Sequence, residues 1–148
     1  MTTPISLIQG FTHDHRLLDG AFARAHRAID EAKWDTAQEA FRGFWDAIES
    51  HMATEEEGLF PVYEARYGHG NPITEILRKG HRDLRGFFEE ISETIAGHDS
   101  DEASALMDTV GQILTHHDEK EENEFYPAVA PLIADPQGLI SRLAGVEP

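Results

Sequence analysis

The chain has 148 residues, no cysteine, and 28 acidic against 12 basic side chains, for a formal charge of −16. That length suits one domain, 1–148, around one sizeable core. The missing cysteine excludes disulfides, thiolate catalysis, iron–sulfur clusters and cysteine-held zinc, and the acidity argues against nucleic-acid and anionic-membrane partners, which need basic patches. No apolar run approaches the roughly 18 residues of a membrane span and the N-terminus shows no secretory pattern, so the expected compartment is the cytoplasm.

Helical periodicity runs through four long segments, roughly 12–33, 35–67, 72–97 and 101–133. The first carries Phe11, Leu18, Phe22, Ala25 and Ile29 at spacings of three and four. Asp35 is the expected cap of the second, whose stripe is Ala37, Phe41, Phe44, Ile48 and Leu59. Gly68-His69-Gly70-Asn71-Pro72 closes it and opens the third, with Pro72 suited to a first helical turn. The third shows Leu77, Leu84, Phe88, Ile91 and Ile95. Ser100 or Asp101 is the expected cap of the fourth, which shows Ala103, Leu106, Val110, Ile113 and Leu114. A short fifth helix is expected over 137–144. Each stripe describes one buried helix face, and strand-like alternation is absent, so an all-α, up-down-up-down four-helix bundle is expected.

Sliding the chain against itself by 66 residues exposes a repeat. His15-Arg16-x-Leu18-x-Gly20-x-Phe22 matches His81-Arg82-x-Leu84-x-Gly86-x-Phe88. His51-x-x-x-Glu55-Glu56-x-x-Leu59-Phe60-Pro61 matches His117-x-x-x-Glu121-Glu122-x-x-Phe125-Tyr126-Pro127. The repeat halves are roughly 5–67 and 71–133, two copies of one helical hairpin related by a pseudo-twofold axis.

Each apolar stripe is broken at a matching place. His15 stands between Phe11 and Leu18, and His81 between Leu77 and Leu84. His51 and Glu55 follow Ile48; His117 and Glu121 follow Leu114. One histidine and glutamate a turn apart would signify little in a chain with 17 glutamates. Four breaks on four inward faces are another matter, because carboxylates and imidazoles in a hydrocarbon core are costly unless paired or coordinated. Antiparallel packing would bring all six to one end of the core. An i,i+4 pair leaves its side chains about 6 Å apart on one face, letting an imidazole bind one ion while the carboxylate reaches a second. The neutral imidazoles and two carboxylates supply a charge of only −2, so a bridging hydroxide or oxide is expected between two ions. Nitrogen and carboxylate oxygen donors fit iron, and zinc or manganese less well.

These motifs resemble the hemerythrin-like HHE cation-binding family along nearly the whole chain. The resemblance implies a non-haem di-iron centre with His15, His51, His81 and His117 as ligands and Glu55 and Glu121 as bridging carboxylates. Ferritin-like proteins use Glu-x-x-His, which does not occur here. Oxygen-carrying members of the family place a fifth histidine where this chain has Arg85, and take their last carboxylate five residues after the helix-4 histidine, where Glu122 stands. The set here looks more like bacterial stress-response members, including those linked to repair of iron centres, whose usual cysteine-containing N-terminal extension has no counterpart in this sequence.

The expected function is binding or sensing of a small molecule such as O2, NO or peroxide, with sensing calling for a separate protein partner. Turnover of peroxide or NO by an enzyme, and storage or donation of iron, are the rival readings. His13 competes with His15 but lacks a partner 66 residues on. His116 has Lys120 a turn later, His26 reads as a rim residue, and His69 and His98 fall in loops. Tyr126, matched by Phe60, reads first as a packing aromatic with its hydroxyl at the rim, with a phenol that donates a hydrogen bond to a metal-bound oxygen species as the alternative. Pro61 and Pro127 should end or bend their helices just past the metal layer.

Overall fold

The computed structural model describes residues 5–143, and every regular element among them is helical. α1 covers Leu7–Asp30, α2 Trp34–Gly58, α3 Phe60–Tyr67, α4 Pro72–Ala96 and α5 Ser100–Lys120. A π turn, Glu121–Phe125, leads into α6 (Tyr126–Val129), a 3-10 turn (Ala130–Leu132) and α7 (Pro136–Ile140). α1 packs on α2, α2 on α4, α4 on α5 and α5 on α1, making a bundle of the four long helices. Asp30 of α1 meets Ser104 of α5, while His15 meets Glu122 just beyond the end of α5, so these two helices run in opposite directions.

α1 begins at Leu7 rather than near residue 12 because Ser6 and Gln9 close a capping box. The Ser6 hydroxyl accepts from the Gln9 N–H at 3.1 Å and the Ser6 N–H donates to Gln9 Oε1 at 2.9 Å, satisfying two donors that a helix start leaves open.

The α1–α2 and α4–α5 turns share one construction at an offset of 66 residues. Ala32 and His98 both take left-handed backbone, with φ of 54° and 56°. The N–H groups of Ala32 and Lys33 bond back to Ile29 and Ala28, as those of His98 and Asp99 do to Ile95 and Thr94. One left-handed residue reverses the chain quickly, so the next helix starts earlier than the expected caps. α2 opens behind Lys33, with Asp35 inside its first turn, and α5 opens behind Asp99, whose carboxylate accepts from the Glu102 N–H at 3.2 Å.

α2 does not run to residue 67. It ends at Gly58, and Pro61 opens α3, since a proline ring cannot continue the preceding turn. Pro127 likewise opens α6 behind the π turn. The expected fifth helix is α7, shorter than predicted; residues 144–148 lie outside the described part. α7 lies close to the end of α2 at Gly58, where a Cβ would stand 2.5 Å from Leu139 Cδ2.

The predicted stripes are buried apart from Phe22, Leu106 and Ile113, which are only partly covered. In α5 the inward position between Ala103 and Val110 is Met107, fully buried. The core comes in two clusters. One spans Leu18, Phe44, Ile48, Met52, Phe88 and the residues beyond them toward the α1–α2 turn. The other gathers Phe11, Leu59, Phe60, Leu77, Phe125 and Tyr126. His15, His51, Glu55, His81 and Glu121, all buried, form the polar layer between them. The candidate ligands therefore lie inside the core, roofed by α3 and α6, and not at an open end of it.

Candidate metal centre

The inward face of each long helix contributes to this layer. α1 brings His15, α2 His51 and Glu55, and α4 His81; α5 brings His117 in its last turn, and the π turn begins on Glu121. All six sequence-predicted residues come together in two overlapping groups. His15, His51, Glu55 and Glu121 form one, and Glu55, His81, His117 and Glu121 form the other, with the ligand atoms of each group mutually within 4.8 Å. Both carboxylates belong to both groups. The group with His15 and His51 is the first position and the group with His81 and His117 the second.

The contacts repeat across the 66-residue offset. His15 Nε2 lies 3.0 Å from Glu121 Oε1 and His81 Nε2 lies 3.1 Å from Glu55 Oε1. His51 Nε2 is 3.2 Å from Glu55 Oε2 and His117 Nε2 is 3.3 Å from Glu121 Oε2. Three atoms of the second position, Glu55 Oε1, His81 Nε2 and Glu121 Oε2, are buried without a hydrogen-bond partner. Buried polar atoms normally have partners, and nitrogen and carboxylate oxygens converging without them match the donor set a divalent cation needs.

Behind the candidate ligands stands a layer that the spacing of motifs did not reveal. His15 Nδ1 meets Glu122 Oε2, His51 Nδ1 meets Asp14 Oδ2, and His81 Nδ1 meets Glu56 Oε2, each at 2.7 Å. A carboxylate on the outer nitrogen fixes an imidazole's tautomer and presents the inner nitrogen to the site. Arg16 in turn holds Glu122 at 3.0 Å, and Arg85 holds both Glu49 and Glu56. Glu56 and Glu122 each directly follow a candidate ligand glutamate, so the doubled EE in both motifs is the signal that the sequence offers. Asp14 had none beyond its place beside His15.

Tyr126 does not carry its hydroxyl at the rim, the first of its two expected placements. Its side chain is fully buried, and its hydroxyl lies at the first position rather than at the rim. It donates to Glu55 Oε2 at 2.6 Å, and sits 3.1 Å from Glu121 Oε1, 3.2 Å from His51 Nε2 and 3.3 Å from His15 Nε2. The π turn explains the placement: the Tyr126 N–H reaches back five residues to the Glu121 carbonyl, and the widened turn lets both side chains point inward. Such turns recur at functional sites. Phe60 stacks on His81, ring centroids 5.4 Å apart, and offers no oxygen.

Among the protein groups themselves, charge is strongly redistributed. Burial, the largest single influence on His15, lowers its pKa, yet the Glu121 hydrogen bond and the nearby carboxylate charges together hold it at about 9. His81 stands at about 9 on the same balance, with Glu55 and Glu56 outweighing burial. His51 is raised as well, and Glu55 is lowered against its burial chiefly by the His51 charge. Burial raises Asp118 to about 7; its carboxylate is 3.3 Å from His15 Nε2. The layer is an electronegative core that draws positive charge.

On the larger-cluster side, His15, His51, Met52, Leu84, His117 and Asp118 line part of a cavity of ≈ 10 Å³, about the room one water-sized molecule needs. His13, His69, His98 and His116 are exposed. His26 is half-buried beside Ser104, Asp30 and Asp108, away from the six.

No helix of the described residues is long and apolar enough to cross a membrane. Neither the curated proteins nor the solved structures give a match. The profile of the hemerythrin HHE cation binding domain matches residues 6–129, most of the chain and every residue of the polar layer. The chain belongs to the hemerythrin HHE cation-binding family, and a metal-binding role follows from that membership.

Proposed function

We propose that the protein is a non-haem di-iron protein that binds a small molecule such as O2, NO or peroxide, built as an up-down-up-down bundle from a duplicated hairpin. His15 and His51 hold one iron, His81 and His117 the other, and Glu55 and Glu121 bridge them. The observation that carries the reading is the membership of both carboxylates in both groups, since a mononuclear site has no use for two such shared oxygen pairs. Bound there, a pair of irons would supply reversible one- and two-electron chemistry together with an open coordination position. The adjoining cavity of ≈ 10 Å³ has about the room of one water-sized molecule, which suits a small ligand.

The test is anaerobic iron reconstitution of the whole chain followed by metal analysis and exposure to each gas and to peroxide. Two irons per chain are expected, and one or none counts against the reading. His81→Ala and His117→Ala should each lower the iron content sharply, while His13→Ala and His116→Ala leave it near two. Absorption spectra after exposure separate a lasting adduct, which marks a binding or sensing protein, from turnover of the added molecule. With Arg85 engaged by Glu49 and Glu56 in place of a fifth histidine, rapid air oxidation without a long-lived oxygen adduct is expected, and NO should give the longer-lived complex.

A further inference from the structure

Three of the four imidazoles carry a carboxylate on the outer nitrogen, and the fourth does not. His15, His51 and His81 are held at Nδ1 by Glu122, Asp14 and Glu56. Among the described residues no side chain is bonded to His117 Nδ1. The 66-residue repeat shows why: the residue matching Asp14 is Gly80. A Cβ there would stand only 2.8 Å from His117 Nδ1, so the α4 backbone passes directly behind the ring and leaves no room for an anchoring carboxylate. The same ring borders an open groove of ≈ 330 Å³ lined by Ile76, Lys79, Gly80, Ile113 and Lys120. His117 is also the most exposed of the four, at 9% against 2% for His15, 3% for His51 and 0% for His81.

The first position differs in the opposite sense. Both of its imidazoles are anchored, and Tyr126 adds an oxygen 2.6–3.3 Å from its four ligand atoms, where the second position has Phe60.

We propose that the two metal positions are functionally unequal: the His15–His51 position retains its ion, and the His81–His117 position exchanges its ion with solution through the movement of the unanchored His117 ring toward the groove at Gly80. The inference rests on the two-iron reading. It makes the chain able to give up or take in a single ferrous ion without losing the other. Asp14 is the positioning residue that sets the difference.

The experiment follows iron release from the diferrous protein, anaerobically, into an excess of a coloured ferrous chelator. Wild-type protein should release iron in two phases of one ion each, the faster at least about tenfold quicker, the scale on which outer partners act on metal affinity. His117→Ala should abolish the fast phase and keep a slow ion. Asp14→Ala should accelerate the slow phase about tenfold or more and leave the fast phase unchanged. Asp14→Asn, whose amide oxygen can still accept from His51, should change it less. A general loss of structure would quicken both phases of Asp14→Ala and would overturn the assignment. Two ions leaving in a single phase would overturn this inference alone, whereas a chain that never loads two would overturn the two-iron reading with it.

Discussion

Arg85 grips Glu56 with both terminal guanidinium nitrogens, at 2.8 Å and 3.1 Å, and Glu56 in turn holds His81 Nδ1 at 2.7 Å. The residue that stands where oxygen carriers have a fifth histidine thus connects to the candidate ligand His81 through two successive hydrogen bonds. Glu56 responds to both partners: against its partial burial, His81 and Arg85 lower its pKa to about 2.

Arg85→Ala should therefore weaken metal binding by about tenfold, within the range seen when an outer partner of a ligand histidine is removed, while leaving the stoichiometry at saturation at two. Competition against a chelator of known affinity measures it. Affinity equal to wild type would show that Glu56 positions His81 without help.

Tyr126→Phe deletes the one hydroxyl that reaches Glu55 Oε2, at 2.6 Å. A hydrogen bond to a charged group is worth about 1.5–3 kcal/mol, so the metal-free variant should melt roughly 4–10 °C below the metal-free wild type. Calorimetry or circular dichroism decides it. A change under about 1 °C would mean that the hydroxyl contributes nothing there beyond packing.

The pH dependence of the metal-free protein follows from the histidines. His15 and His81 have folded-state pKa values of about 9, above the usual 6.5 of an unfolded chain. A group raised in the folded state contributes stability that is complete below 6.5 and is lost as pH rises toward 9. Asp118, raised to about 7 from 3.8, adds a loss in the same direction between those two values. Glu56 acts oppositely, its contribution disappearing as pH falls from 4.5 toward 2. The melting temperature of apo-protein should thus drop from pH 6 to pH 9. Metal needs neutral imidazoles, so the loaded protein should be far flatter over that interval, and chelation should cost more at pH 8 than at pH 5.5. An apo-protein equally stable at pH 6 and pH 9 contradicts the imidazolium–carboxylate pairing.

Ala32 sits at φ 54°, backbone that costs a residue with a Cβ roughly 1 kcal/mol and glycine little. Ala32→Gly should raise the melting temperature by a few degrees. His98→Gly relieves the same strain at φ 56° but forfeits a stack on Trp34 with centroids 5.0 Å apart, so its gain should be smaller. Melting curves of the two variants make the comparison; destabilisation by Ala32→Gly would show that the entropy released in the unfolded chain outweighs the strain.

The periodicity of apolar residues and the 66-residue repeat were enough to specify a helical bundle and all six candidate ligands. Both signals are local: helical spacing selects a face, and a polar side chain on an apolar face is legible because burial would penalise it. Helix ends were less legible, because a left-handed residue at Ala32 or His98 and the Ser6–Gln9 box depend on backbone closure over a few residues. What only tertiary structure decided is the set of partners each ligand finds. Asp14 on His51, Glu56 on His81 and Arg85 on Glu56 pair residues 25–37 positions apart through helices crossing at one level, and no spacing rule on one helix encodes that. Tyr126 reaches the centre because a π turn rotates it there, and Phe60 in the matching place has no oxygen to offer. Gly80 against Asp14 was visible as a mismatch in the repeat, but its consequence appears only where α4 passes within a Cβ's reach of His117.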